Sequence, residues 1–184
     1  MDAIEAITRR VSVPVLSGPD VTDEQIQLLV SAALRAADHA WLRPSRYLLV
    51  RGEALAQLGD VFASTLESGE RTDDAVARMK SLPLRAPLIM VSVCRVIEHP
   101  KVPRDEQLLS TGAGVQNLLN VAHAIGLGAI WRTGAITQHP LVRAAFGLTE
   151  QDVIVGFIYV GTPAGKLKEP PELNPSDFVT DWKS

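Results

Sequence analysis

The spacing of apolar side chains divides the chain into alternating helical and extended segments. Ile4, Ile7 and Val11 fall at helical intervals in the opening segment, Asp2 to Arg10. A second helix opens at Thr22. Gln25 lies three residues on, the pattern of a capping box in which each side chain bonds the other's free backbone N–H. Ile26, Leu29, Val30, Ala33 and Leu34 then mark one packed face. Tyr47 to Val50 reads as a short strand, Glu53 to Ser68 as a helix through Leu55, Leu58, Phe62 and Leu66, and Thr72 to Ser81 as a further helix.

The run LIMVSVCRV, Leu88 to Val96, is apolar on both faces and so predicts a central strand. Asp105 to Ile125 is helical, with Leu108, Leu109, Val115, Leu118, Leu119 and Val121 spread around the cylinder, which predicts burial in a core or at a subunit interface. A strand from Ala129 to Arg132, a short helix opened by His139-Pro140 and closed by Gly147, and a strand from Val153 to Val160 follow. From Pro163 to the end, 163–184, prolines among charges predict an extended arm. Scattered strands between helices give an α+β (mixed α/β) fold, with a central mixed sheet covered by helices.

Length and composition narrow the function classes. At 184 residues with 46% hydrophobic side chains, the chain is expected to be one domain, 1–184, with a real core rather than a disordered segment. Its 18 basic and 21 acidic side chains give a net charge of −3, unlike the basic footprint of a nucleic-acid binder. The single cysteine excludes an internal disulfide and fits a reducing, cytoplasmic setting. The opening MDAIEAITRR lacks the apolar run of a secretion signal, and no stretch is long and apolar enough to span a bilayer.

Several familiar chemistries are missing. Gly112-Ala-Gly114-Val-Gln-Asn117 begins like a dinucleotide fingerprint, but helical residues rather than a strand precede it, so its small residues read as structural, letting another helix or a flat ligand approach closely. No phosphate loop or serine nucleophile elbow occurs. His39, His99, His123 and His139 lack zinc-site spacing. His123 is expected to be a hydrogen-bonded core residue, His99 and His139 turn or cap residues, and Cys94 a packing residue. Asp73-Asp74 and Asp105-Glu106 read as solvated helix starts.

Three places call for another explanation. They are Arg10-Val11-Ser12 after the first helix, RAADHAWLRPSRY (Arg35 to Tyr47) with Arg35 and His39 four apart on one helix face, and GLGAIWRTGA (Gly126 to Ala135). Together they offer cations, hydroxyls and backbone donors that could hold a phosphate and a polar ring system. Their order and spacing resemble the nitroreductase family of FMN-dependent oxidoreductases. The similarity extends to the opening MDAIE, to LRAPLIMVSV (Leu84 to Val93), to KVPRDEQ (Lys101 to Gln107) and to IVGFIYVGTP (Ile154 to Pro163), and so covers nearly the whole chain.

The resemblance implies a nitroreductase-like fold, an interlocked homodimer, and FMN in two interface clefts touched by both subunits. By position, Arg10, Val11 and Ser12 match one FMN-binding segment, Arg35 and His39 a second, and Trp131, Arg132 and Thr133 a third. Val121, Ala122, His123, Ala124, Ile125 and Gly126 match a segment assigned to NAD(P). The implied activity takes hydride from NADH or NADPH and reduces a small second molecule, such as a nitro or quinone-like compound, by a ping-pong mechanism. The flavin would carry the hydride and no side chain would serve as nucleophile. A cation near the ring favours the anionic reduced flavin, a role open to Arg35, Arg132 or both. Rival readings are a flavin storage or delivery protein and a flavin-dependent dehydrogenase with a non-nitro substrate. Two positions depart from the larger family members. Pro14 stands where a basic residue is usual, and Arg43-Pro44-Ser45 stands where they have Gln-Pro-Trp.

Overall fold

A computed structural model describes residues 1–182; Lys183 and Ser184, the end of the expected arm, lie outside the described residues. Six helices and five strands follow one another as α1 (Ala3–Arg9), β1 (Leu16–Ser17), α2 (Asp23–Ala33), β2 (Ser45–Arg51), α3 (Glu53–Ser64), α4 (Asp73–Ser81), β3 (Leu88–Arg95), α5 (Arg104–Ala124), β4 (Gly128–Arg132), α6 (Pro140–Ala145) and β5 (Asp152–Pro163). Local chemistry sets the boundaries. Thr22 and Gln25 form the capping box at α2, and His139 caps α6 by accepting the Leu141 N–H through Nδ1 at 3.2 Å. His99 accepts the Lys101 N–H in the same way, at 3.2 Å. β1 has two residues and no period of its own, and its pairing with β5 creates it.

β5 is the hub of the sheet, pairing with β3, β4 and β1, while β2 pairs with the far side of β3. The four ladders among the described residues are antiparallel, which refines the expected mixed sheet. The reason lies in the connections. The chain between β2 and β3 passes through α3 and α4 and returns in the opposite direction, leaving no parallel crossover to build. β3 is buried along nearly its whole length, as its two-sided apolarity requires.

Each face of the sheet carries its own core. On one, Phe62 of α3 meets Phe157 edge to face at 5.5 Å, beside Val50, Ile89, Val91 and Tyr159. On the other, Leu29 of α2 and Val115, Leu118 and Ala122 of α5 pack on Leu88, Met90, Ile158 and Val160. Gly114 brings these two helices together, because a Cβ there would lie 2.8 Å from the Ala33 carbonyl oxygen. The expectation that these small residues are structural and let another helix approach therefore agrees with the structure. α5 is not buried all round: Leu109 and Gln116 face outward.

At the sheet's end, the Asp152 carboxylate is fully buried and accepts from Arg95 Nε and from the Thr149 N–H and hydroxyl, each at 2.9 Å. Beyond Gly165 the described chain is exposed, with one short turn at Pro175–Phe178, so the expected arm is extended.

Candidate functional site

The chain after α1 is bound into the sheet. The Val13 N–H donates to the Ala129 carbonyl at 3.0 Å, and the Ala164 N–H donates to the Val15 carbonyl at 3.0 Å. Gly128 makes this approach possible, since a Cβ there would press on Leu16 and Val13. The Arg10-Val11-Ser12 segment is thereby carried to β4, the strand that ends in Arg132. Arg10 Nη1 and Arg132 Nε are both buried with no hydrogen-bond partner among the described residues. A buried cationic donor without an acceptor is costly, and a bound anion removes that cost.

Ser12 also lines a shallow cleft of about 60 Å³ with Lys166 and Lys168, which follow β5. Sequence reasoning missed these lysines, because more than a hundred residues separate them from Ser12. The pairing of β1 with the end of β5 closes that distance.

Period-two alternation sends the β4 side chains to opposite faces. Trp131 turns toward the α5 side of the sheet, and its indole Nε1 donates to the Val155 carbonyl of β5 at 3.1 Å. Gly156 leaves room for it, since a Cβ there would collide with the indole. The ring is thus fixed by the fold, which leaves mainly its backbone to meet a ligand. Arg132 turns the other way and lies over the Tyr159 ring at 5.7 Å. Arg132 and Thr133 border a cavity of about 340 Å³ with Phe62, Leu82 and Ile136. Burial pushes the Tyr159 phenol up, an effect that the nearby positive charges of Arg132 and Arg85 oppose.

Arg35 and His39 are not on one helix face, contrary to the i, i+4 expectation. α2 ends at Ala33, where the chain tightens and α5 bonds its last turn. Asn117 Nδ2 donates to the Ala32 carbonyl at 3.2 Å, and the Arg35 N–H bonds the same oxygen in a tighter turn at 3.1 Å. His39 opens a separate three-residue turn, and its Nδ1 lies 2.7 Å from Glu106 Oε2. Glu106 lies in the exposed first turn of α5, as expected, and is in addition a partner to His39. Arg35 lines a cavity of about 370 Å³ with Trp41 and Arg43, and a groove of about 520 Å³ beside Ile7 and Val121. In a single chain, neither Arg35 nor His39 lines a described cavity with Arg10 or Arg132.

Val121 to Gly126 is the C-terminal end of α5. Val121 and Ala124 face the groove beside α1, Ala122 is buried, and Ile125 and Gly126 end the helix, with Gly126 at φ +83°. His123 is not hydrogen-bonded as expected, because its Nε2 is buried without a partner among the described residues. A helix C-terminus carries partial negative charge, so it suits a neutral ring or a protein surface better than a pyrophosphate.

Comparison with known proteins follows the same lines. The nitroreductase family profile matches residues 7–162. The chain is 40% identical over 183 residues to the Escherichia coli K12 protein named "Putative NAD(P)H nitroreductase YdjA", covering 98% of this chain and 99% of that one. A nitroreductase-like family protein from Bacillus cereus superposes with a TM-score of 0.88 at 24% identity, over 100% of this chain and 97% of the other. A variant of the FMN- and NADPH-dependent nitroreductase NfnB from a Sphingopyxis strain superposes with a TM-score of 0.75 at 19% identity, over 99% of each chain.

Proposed function

The chain belongs to the nitroreductase family, and from that premise we propose that it is an FMN-dependent oxidoreductase acting as a homodimer. NADH or NADPH is its reductant, and a small nitro or quinone-like molecule takes the electrons in a second half-reaction at the same site. The observation that carries this reading is the pair of buried, unpartnered donors, Arg10 Nη1 and Arg132 Nε. A phosphate dianion supplies what they lack, because an arginine fork and a phosphate make charge-assisted bonds.

FMN, when bound, supplies the hydride chemistry, and the chain's residues bind and orient it. Arg10 and Arg132 offer the phosphate their free donors, Ser12 adds its hydroxyl with Lys166 and Lys168 lining the same cleft, and Thr133, with the backbone of Val11 and Trp131, borders the ring. Arg35 and His39 reach the FMN of the other subunit, in keeping with the interface clefts of the family resemblance; Arg35 lines its own cavity, apart from the one that Arg132 borders. Arg35 then adds positive charge where reduced flavin is anionic. Protons come from water.

The homodimer reading draws support from apolar side chains that one chain leaves uncovered. These are Ile4 and Ile7 on α1, Leu109 on α5, and Leu173, Phe178 and Trp182 on the arm. A cytosolic location accords with the free Cys94 and the pyridine-nucleotide reductant.

The test is the visible spectrum of the purified protein. One FMN per chain, bleached by NADH or NADPH and restored by an acceptor, is expected. Arg132→Ala should weaken FMN binding by about 2 to 5 kcal/mol. A colourless protein, or an Arg132→Ala variant that holds FMN as tightly as the parent, would overturn the assignment.

A further inference from the structure

The segment that follows α2 is the most strained part of the described chain. Ala40, Trp41 and Arg43 all have positive φ, at 59°, 54° and 53°, a region that bulky residues rarely adopt. Two bonds within the segment and one from α5 hold it there. The Arg43 N–H donates to Asp38 Oδ2 at 2.7 Å, Arg46 Nη1 donates to the Arg43 carbonyl at 2.7 Å, and His39 is held by Glu106. The result is an indole that is 79% exposed at Trp41, beside a cavity of about 370 Å³. Strain maintained by surrounding bonds is a feature of ligand clamps.

The charge around that indole is specific. Arg35 and Arg43 line the same cavity, and neither guanidinium has a hydrogen-bond or ion-pair partner among the described residues. Asp38 is the one acid in the lining, and its carboxylate already accepts the Arg43 N–H. Arg46, nearby, is engaged with backbone carbonyls. The wall is therefore an aromatic plate with two free cationic forks. Leu34, itself exposed, and the small side chains of Ala36 and Ala37 complete the lining as its apolar part.

We propose that the cavity walled by Trp41, Arg35 and Arg43 binds a planar aromatic carboxylate, and that it selects the acceptor substrate of the enzyme. The ring stacks on Trp41 and the carboxylate pairs with an arginine fork, a geometry in which lysine would not substitute fully. The volume is at the size of small-ligand sites. This inference rests on the flavoenzyme reading, with Arg35 reaching the flavin.

The experiment titrates the FMN-loaded protein with benzoate, which carries the proposed chemistry and cannot act as a nitro acceptor, and with neutral benzamide, by calorimetry. Flavin content is measured on the same samples. Benzoate should bind at least about tenfold more tightly than benzamide, the scale of one charge-assisted bond. Arg43→Gln should remove that preference and Arg43→Lys should restore part of it. Trp41→Ala should weaken both ligands, and Trp41→Phe should retain most of the affinity. Equal binding of the two ligands, or unchanged benzoate affinity in Trp41→Ala, overturns the proposal while bound flavin upholds the parent reading. A Trp41→Ala protein that falls apart into monomers with benzoate affinity intact makes Trp41 a subunit contact and also overturns it. A preparation without flavin overturns the parent reading and this assignment together.

Discussion

Asp152 shows how one buried side chain couples stability to acidity. Burial alone would raise its pKa, but the Arg95 Nε–H and the Thr149 N–H and hydroxyl outweigh that and hold it at about 2, against 3.8 ordinarily. The folded chain thus keeps the ionised carboxylate to lower pH than the unfolded chain does. Its contribution is complete above about pH 4 and is lost as the pH falls toward 2, and it amounts to at most about 2 kcal/mol, since Arg95 is half exposed. Asp152→Asn should be less stable at neutral pH, and its urea midpoint should fall less than the parent's between those pH values. Gly114 works by absence. An Ala there gains helix propensity, but its Cβ must push the Ala33 carbonyl, which is backbone and cannot swing aside. Gly114→Ala should therefore cost about 1 to 3 kcal/mol in chemical denaturation. An equally stable variant would mean that α2 and α5 can separate freely.

Helices and strands with a clear period were legible before any coordinates. Thr22 and Gln25 announced the start of α2, and Thr22→Ala should lower stability by about 1 kcal/mol by releasing the Gln25 N–H. The two-sided apolarity of Leu88 to Val93 likewise marked β3 as the buried strand. The end of α2 was not legible. Helical spacing continues through Leu34, but the last turn tightens at Ala32, whose carbonyl also accepts from Asn117, far along the chain. The three left-handed residues after it carry no glycine or asparagine to signal them; side-chain bonds from Asp38 and Arg46 within the segment, and the contact of His39 with Glu106 of α5, hold the segment instead. The candidate site was half legible for the same reason. Arg10, Ser12 and Arg132 stood out by type and neighbours, while Lys166 and Lys168 join Ser12 only through the β1–β5 pairing.

Across the whole molecule, apolar side chains remain uncovered on α1, on α5 and along the arm, and these surfaces suit a second copy of the chain. Light scattering at low micromolar concentration should report a dimer. A chain ending at Glu169 retains both lysines but loses Leu173, Phe178 and Trp182. It should dimerise more weakly while keeping its Ser12 cleft; full dimerisation would remove the arm from the interface. The position of β5 has a further consequence, for synthesis. Three ladders meet on a strand that begins at Asp152, so a ribosome has made most of the chain before the hub exists. Until then β3 presents an unpaired apolar edge along the side that β5 will cover, with α3 and α5 already available to shield its faces. Nascent chains stalled before Asp152 should be cut readily by protease and should bind chaperones, and chains extended past Pro163 should lose both properties in one step. Gradual protection as each earlier strand emerges would show instead that β2 and β3 fold without waiting for the hub.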